Sequence, residues 1–269
     1  MNIVSWNKGW IFGRVGDEKR MKKNIENSLI SEELLKNREV LNVDPDILAL
    51  LEAGVKDGLE DNILKIQGYK GFFGDREKYV GGIKYINGIL LYIKDEYNPD
   101  VCLESQKEFK ENNIECFMPI TLEVDCIKYN CLFVWATQKY YGQEFYGFNN
   151  FKEILGIEDR DNNFKETRKF LDGKENNVII IGDFNIVYPK NLETRKDKTR
   201  EKQWKELIKI MNEDYNLKWV ENTIPTYEDS IINDHCFVSE NLHDSFKLEV
   251  KERKYGNVKS DHNLIVVSN

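Results

Sequence analysis

The chain has 269 residues, enough to bury a sizeable apolar core without help from disulfide bonds. Lys and Arg number 39 and Asp and Glu number 47, so the formal net charge of -8 repels polyanions, and nucleic-acid binding would need a local basic patch or a metal ion. The 5 cysteines include no C-x-x-C pair, which argues against a secreted disulfide framework and a structural zinc site. We therefore expect a reducing, cytoplasmic environment.

The N-terminal stretch gives no sign of export. Residues 1–7 lack a basic segment followed by an apolar one, and no apolar run approaches the about 18 residues that a membrane helix needs. We therefore expect neither secretion nor a membrane span. The sequence also lacks repeats and Pro/Gly/Ser-rich linkers, so it predicts one domain over 1–269.

Several apolar runs have the length of β-strands and end in turn residues. They are Asn2–Trp6, Asp46–Leu51, Ile89–Ile93, Cys131–Ala136, Val178–Ile181 and Leu264–Val267. Some of these runs are too uniformly apolar for a strand with one face in water, because such a strand would alternate apolar with polar residues. They indicate strands that are covered on both faces.

Two longer polar segments show helical spacing. Apolar residues of Met21–Leu41 fall roughly on one side of a helix, and Trp204–Met211 repeats this pattern. Strands interleaved with such helices indicate an α/β architecture in which helices cover sheets.

Polar residues of metal-binding or proton-handling types stand at the ends of the predicted strands. They are Asn7, Glu52, Asp183, Asn185, Asp234, Asp261 and His262. Strand ends in one sheet lie close together, so these side chains are expected to meet at one cleft. Each residue alone also fits an ordinary role, such as a turn asparagine, a helix-capping aspartate or a hydrogen-bonded buried histidine.

The order of these segments resembles that of a known superfamily. The segments are NIVSWN at 2–7, PDILALLE at 45–52, GILLYIK at 88–94, VIIIGDFN at 178–185, PTY at 225–227, NDHCFVS at 233–239 and SDHNLIVV at 260–267. Together they resemble the DNase I-like endonuclease/exonuclease/phosphatase superfamily. The resemblance implies an α/β fold, a four-layer α/β/β/α sandwich of two facing mixed sheets with outer helices.

The resemblance also implies a divalent metal ion at the cleft. Glu52 is then the principal metal carboxylate, with Asn7 beside it and Asp261 as a further carboxylate near the ion. Mg²⁺ prefers hard oxygen ligands of this kind together with water and substrate phosphate, and Mn²⁺ could replace it.

Four residues have catalytic roles implied by the resemblance. Asp183 would orient or deprotonate the attacking water, and Asn185 would donate a hydrogen bond to the phosphate. In an extended chain these two side chains would point the same way, with Phe184 packed behind them. His262 would contact the phosphate and be oriented by Asp234, as carboxylates orient imidazoles in other hydrolases.

One departure from the superfamily pattern follows the run Cys131–Ala136. Many members have a histidine or a tyrosine there that contacts the scissile phosphate, whereas this chain has Thr137, Gln138 and Lys139. Thr137 or Gln138 aligns best with that position, and Gln138, Lys139 or Tyr140 could supply the missing donor. His235 stands where the superfamily usually has an aromatic residue, so its expected role is structural.

The expected substrate is a phosphate ester. Lys190–Lys205 is basic and includes Arg195 and Lys198, so it is either a solvated helix surface or a grip on a phosphate backbone. We expect a Mg²⁺-dependent nuclease that acts on DNA or RNA by in-line attack of water. The alternatives are a phosphatase or phosphodiesterase of a small or lipid phosphate, and a binding domain of the same fold that has lost catalysis.

Overall fold

The structure is a computed structural model of the chain. It describes residues 1–7, 44–56, 65–80, 83–114, 117–136, 146–156, 162–188, 195–227, 231–252, 254–255, 258–260 and 262–269. The helix predicted over Met21–Leu41 lies outside these residues.

Strands make up most of the regular structure in the described ranges. They are β1 (Asn2–Asn7), β2 (Ile47–Lys56), β3 (Lys65–Ile66), β4 (Tyr69–Val80), β5 (Ile83–Lys94), β6 (Asp100–Val101), β7 (Phe117–Val124), β8 (Ile127–Trp135), β9 (Asn177–Asp183), β10 (Leu217–Trp219), β11 (Asp234–Ser239), β12 (Lys247–Lys251), β13 (Lys254–Tyr255), β14 (Val258–Lys259) and β15 (Leu264–Ser268). The apolar runs predicted as strands are confirmed as parts of β1, β2, β5, β8, β9 and β15. The pattern missed β4 because Gly71, Gly74 and charged residues interrupt its apolar positions.

Among the described residues, helices are fewer than strands, and most of them lie after residue 145. They are α1 (Leu103–Glu111), α2 (Tyr146–Ile154), α3 (Lys165–Phe170), α4 (Arg195–Glu213) and α5 (Glu240–His243), with a 3₁₀ turn at Asp95–Tyr97. Helix α4 contains Trp204–Met211, so that prediction is confirmed. Within the described ranges, no helix combines the length and the apolar composition that crossing a membrane requires.

The strands form two mixed sheets and one small hairpin. The first sheet has the order β12-β15-β1-β2-β5-β4-β3, the second has the order β10-β11-β9-β8-β7-β6, and β13 pairs with β14. Strands β1 and β2 run parallel in the first sheet, and β8 and β9 run parallel in the second. The other pairs described in the two sheets are antiparallel.

The two sheets face each other across a cluster of buried side chains that we call the apolar interior. Alternate residues of the central strands enter it, among them Ile3 of β1, Cys131 and Phe133 of β8, and Ile179 and Ile181 of β9. All five are fully buried. Burial of an aliphatic or phenyl side chain of this size contributes roughly 1.5–3 kcal/mol, so this interface contributes strongly to stability.

The residues between these positions face outward and are also covered. On the second sheet, Ile180 packs against Phe151 of α2 and Leu207 of α4. On the first sheet, Val4 and Leu50 belong to a separate buried cluster. The predicted sandwich of two facing mixed sheets is confirmed, and helices cover the outer face of the second sheet within the described residues. The single domain over 1–269 stays a prediction.

Candidate active site

Polar side chains replace apolar ones at one end of the interface between the sheets. In β1 the inward-facing row that starts at Ile3 ends at Asn7, and in β9 the row that contains Ile181 ends at Asp183. Because β1 and β9 belong to different sheets, these polar ends meet across the gap. The polar edge, as we call this region, comprises Asn7, Glu52, Asp183, Asp234 and His262.

The first cross-link at the polar edge joins β1 to β9. Asn7 Nδ2 donates to Asp183 Oδ2 at 2.9 Å, and both residues are buried. Because the nitrogen end of this amide is turned toward Asp183, the amide oxygen faces the other way. Asn7 therefore presents an oxygen on the side away from Asp183.

Asp183 is held by hydrogen bonds to both of its carboxyl oxygens. Oδ1 accepts from the backbone N–H of Asn185 at 2.8 Å, and Oδ2 accepts from Asn7 and from Asn185 Nδ2. The pKa of the Asp183 carboxyl is raised to about 7, chiefly by burial and also by Asp234, against the opposing effects of His262 and of the hydrogen bonds. The hydrogen bonds to both oxygens fix the carboxyl in one orientation.

Asn185 reaches Asp183 through a turn. Strand β9 ends at Asp183, and Asn185 has a φ of +49°, so the extended geometry expected for this segment is wrong. Phe184 does pack behind the site, stacked on Phe151 with ring centroids 4.7 Å apart. Asn185 Nδ2 also donates to Ala136 O at 2.7 Å, so both of its protons are engaged. Donation to a phosphate stays a prediction, and it would require exchange of the 3.2 Å bond to Asp183.

Gly182 allows β8 and β9 to approach each other just before the site. A Cβ atom at Gly182 would lie 2.0 Å from Val134 O, and the φ of this residue is +142°. Only glycine fits a position with both constraints. It lets Asp183 pair with Trp135 in the parallel ladder.

The second cross-link joins the start of β11 to the segment before β15. His262 Nδ1 lies 2.8 Å from Asp234 Oδ2, and both residues are buried. Asp234 stands opposite Asp183 in the β9–β11 ladder, and Thr226 Oγ1 accepts its backbone N–H. Because a carboxylate only accepts, Nδ1 is the donor, and Nε2 is the unprotonated nitrogen of the neutral ring.

Other side chains fix His262 from its remaining sides. Ser260 Oγ accepts the backbone N–H of His262 and donates to Asn7 O at 2.6 Å. Trp6 Nε1 donates to His262 O, and the Tyr227 ring lies 4.8 Å from the imidazole between centroids. Sequence reasoning had not assigned these roles, although all three residues stand inside the matched segments.

The third cross-link joins Glu52 to the second sheet. The β2–β5 ladder shifts register between Leu50 and Ala53, and Glu52 within the shift has a φ of +53°. Glu52 Oε1 accepts a hydrogen bond from Trp135 Nε1 at 3.1 Å. In the sequence Trp135 fits an apolar strand, and nothing there indicates this contact.

The donors at this end of the interface fit a hard divalent cation. Glu52 offers a carboxylate, and Asn7 offers the amide oxygen that faces away from Asp183. The two come from adjacent strands, since Asn7 pairs with Leu51 in the ladder. Among the residues that the structure describes, no three His, Cys, Asp or Glu side chains form a metal cluster. Asp261, the other expected ligand, lies outside those residues, and the metal assignment stays a prediction.

The residues expected to contact the substrate are only partly described. Thr137, Gln138 and Lys139 lie outside the described ranges. Arg195 is the first residue of α4, and Lys198 is exposed on the same helix. Substrate contact by all five stays a prediction.

His235 lies on the outer face of the second sheet, away from the polar edge. Its Nε2 is 2.7 Å from Ile186 O, and its ring lies among Phe184, Trp204 and Trp219. Burial lowers the pKa of His235 to about 4, so the ring is neutral at physiological pH. This environment agrees with the structural role expected from the sequence.

Comparison with known sequences gives one family match. Residues 152–266, less than half of the chain, match the family described as endonuclease-reverse transcriptase. That stretch contains Asp183, Asn185, Asp234 and His262. No curated protein matches the sequence.

Solved structures are similar over almost the whole chain. An AP endonuclease, LMAP, from Leishmania major has a TM-score of 0.61 at 13% identity, covering 99% of this chain and 86% of that one. The endonuclease domain of TRAS1, a telomere-specific non-LTR retrotransposon, has a TM-score of 0.54 at 13% identity, with coverages of 99% and 97%. The 3′-5′ exonuclease NExo from Neisseria meningitidis has a TM-score of 0.55 at 14% identity, with coverages of 100% and 99%. The chain therefore has the fold of these structures, the DNase I-like sandwich that its motifs predicted.

Proposed function

We propose that this protein is a divalent-metal-dependent phosphodiester hydrolase and that its substrate is DNA or RNA. The observation that carries the proposal is the Asp183 carboxyl, which is oriented by Asn7 and Asn185 beside the Asp234–His262 pair. The nuclease names of the similar structures support the same reaction class.

Glu52 and Asn7 would hold the metal ion, with Asp261 as a further ligand. When bound, Mg²⁺ or Mn²⁺ would supply positive charge that stabilises the phosphate oxygens in the transition state. The parallel pairing of β1 with β2 keeps these two oxygen donors on neighbouring strands. These two donors suit Mg²⁺, because this ion prefers carboxylate and carbonyl-type oxygens.

Asp183 would take the proton of the attacking water. In the structure its oxygens accept hydrogen bonds from Asn7 and Asn185, so the group is already oriented as an acceptor. His262, protonated on Nε2, would donate to a phosphate oxygen. Asp234 would stabilise the imidazolium through Nδ1.

A second candidate is a phosphatase or phosphodiesterase of a small or lipid phosphate. The net charge of -8 favours it, because a compact ligand needs less attraction from the surface field than a polyanion does. The basic start of α4 favours nucleic acid, because exposed Lys198 and Lys202 are one helical turn apart and suit a repeating phosphate backbone.

The decisive experiment compares the parent protein with Asp183→Asn in Mg²⁺, in Mn²⁺ and in chelator. The substrates are plasmid DNA, single-stranded DNA, RNA and phosphoinositides. We expect metal-dependent cleavage of nucleic acid that falls at least about hundredfold in the variant, because a general base contributes about 10²–10⁴ in rate. Asp244→Asn is the matched control, since Asp244 is exposed and follows α5 beyond the end of β11 remote from Asp234.

Each outcome selects one function. Nucleic-acid cleavage that Asp183→Asn removes and Asp244→Asn retains supports the nuclease. Turnover of phosphoinositides alone supports the second candidate. Metal-independent binding of nucleic acid without turnover contradicts both enzymes and leaves a binding domain.

A further inference from the structure

Trp135 stands at the boundary between the apolar interior and the polar edge. It is the last residue of β8, its side chain is 2% exposed, and its inward row begins with Cys131 and Phe133. A buried indole N–H usually has a hydrogen-bond acceptor, which apolar neighbours cannot supply. The acceptor that this indole finds is a carboxylate of the other sheet, Glu52.

Glu52 reaches that indole only because β2 departs from regular strand geometry. Leu51 faces the apolar interior and Leu50 faces the outer cluster, so strict alternation would turn Glu52 outward. The register shift between Leu50 and Ala53 and the φ of +53° at Glu52 break the alternation. A left-handed backbone at a non-glycine residue is unfavourable and persists only where its surroundings favour it.

The hydrogen bond between them restricts the carboxylate as well as satisfying the indole. Trp135 Nε1 donates to Glu52 Oε1 at 3.1 Å, so one carboxyl oxygen is held and rotation about the last side-chain bond is limited. Trp135 is also the ladder partner of Asp183 in the parallel pair of β8 with β9. The hydrogen bond therefore fixes the position of Glu52 relative to the strands that also position Asp183.

We propose that Trp135 is a positioning residue for the divalent cation, and that its indole N–H orients the Glu52 carboxylate as a metal ligand. The inference rests on the proposed metal-dependent function and adds a residue that acts through Glu52 without touching the ion. Outer-shell donors of this kind set the orientation of metal-binding carboxylates. A tryptophan that served only to fill the core would contribute its ring and not its N–H.

The test measures Mn²⁺ binding to the full chain by isothermal titration calorimetry without substrate. Trp135→Phe keeps an aromatic ring and removes the donor, so we expect the affinity to fall about tenfold or more. Trp219→Phe is the matched control, because the buried Trp219 Nε1 has no hydrogen-bond partner in the part of the chain that the structure describes. Its Mn²⁺ affinity should equal that of the parent.

Glu52→Gln, alone and combined with Trp135→Phe, tests whether Trp135 affects Mn²⁺ binding through Glu52 or independently of it. We expect Glu52→Gln to weaken Mn²⁺ binding and Trp135→Phe to add no further loss in that background. If Trp135→Phe binds Mn²⁺ as the parent does while Glu52→Gln is impaired, the positioning role is overturned and the metal site stands. If the parent itself binds no Mn²⁺, the proposed function fails.

A loss of folding in Trp135→Phe would be seen as a shifted urea transition. In that case, benzothienylalanine placed at position 135 keeps the bicyclic ring and replaces only the N–H with sulfur. The inference then requires a folded protein with Mn²⁺ affinity reduced about tenfold. Parent-like affinity in this variant would overturn it.

Discussion

The two sheets meet in two different ways along one interface. Over most of its length they meet through the apolar interior, where side chains such as Phe133 and Ile181 are fully buried. At the polar edge they meet through side-chain hydrogen bonds, each with one partner in or beside each sheet. These bonds are Asn7 to Asp183, Trp135 to Glu52, and His262 to Asp234.

The two parts of the interface therefore have different tasks. Apolar packing is roughly proportional to buried area and has no preferred direction, so it stabilises the sandwich without orienting single atoms. Hydrogen bonds weaken steeply away from a narrow range of distance and angle, so they orient the groups that they join. Substitutions in the apolar interior should lower the free energy of unfolding, whereas substitutions at the polar edge should lower activity.

The largest expected effect is on stability and comes from Phe133→Ala. Phe133 is fully buried between the sheets, and removal of its ring leaves a cavity. We expect the free energy of unfolding, measured by urea denaturation, to fall by about 3–5 kcal/mol. Activity per folded molecule should stay at the parent level, and a specific loss of activity in the folded variant would contradict the division of tasks.

His235 gives a smaller, pH-dependent effect from the outer layer. Its pKa is about 4 in the folded protein and 6.5 as an unperturbed side chain, so between these values the unfolded chain binds the proton first. The contribution of the neutral ring to stability is full above pH 6.5 and is lost as the pH falls toward 4. Because one pKa unit corresponds to about 1.4 kcal/mol, this histidine should lower the free energy of unfolding by about 3 kcal/mol over that pH range.

The variant His235→Phe isolates this contribution. It keeps a ring among Phe184, Trp204 and Trp219 and removes the titrating nitrogen. Urea denaturation across pH 4 to 6.5 should show a shallower dependence of the unfolding free energy in the variant than in the parent. An unchanged slope would mean that His235 titrates in the folded protein as it does in the unfolded chain.

The strand pattern of the fold could be predicted because it is local. Val178–Ile181 and Leu264–Val267 are apolar at every position, and both proved to be strands that are buried on both faces. Strand β4 could not be predicted in this way because its partner β5 supplies the pairing that its own composition does not suggest. The register shift at Glu52 depends on how β2 pairs with β5, and the sequence of a single segment does not indicate that pairing either.

Asp234→Asn tests the second cross-link of the polar edge. An asparagine oxygen can still accept the Nδ1–H of His262, but it carries no charge to stabilise the imidazolium. We expect kcat on the nucleic-acid substrate to fall about hundredfold, equivalent to about 2.7 kcal/mol in the barrier. The urea midpoint should move little. If the kcat of Asp234→Asn equals that of the Asp244→Asn control, the imidazolium form of His262 has no role in the reaction.

The candidate site was predictable in its residue types and less so in its contacts. The order of motifs singled out Asp183, Asp234 and His262, and the structure brings all three to one edge. The motifs carry no signal for Trp135, because a tryptophan at the end of an apolar strand is typical of a core residue. That contact crosses between sheets, and local composition carries no information about which strands face each other.

The smallest expected effect lies outside the interface, at the basic start of α4. Trp204 of this helix contacts His235, the residue that follows Asp234 in β11, with ring centroids 4.6 Å apart. After the helix the chain enters β10, where Leu217 pairs with Ser239 at the remote end of β11. The helix therefore runs away from the site, and Lys198 precedes Trp204 on the side nearer to it.

Lys198→Gln should weaken nucleic-acid binding without changing catalysis. Loss of one phosphate contact to single-stranded DNA lowers the slope of log affinity against log salt by about 0.7, which corresponds to about fourfold weaker binding at 0.15 M salt. Fluorescence anisotropy with labelled single-stranded DNA, in chelator to prevent cleavage, measures this slope. Lys247→Gln is the matched control, because Lys247 is exposed opposite Ser268, at the end of β15 remote from His262. Equal slopes for the two variants would make the start of α4 a solvated helix surface, and the attraction for substrate would then rest on the metal ion and the polar edge alone.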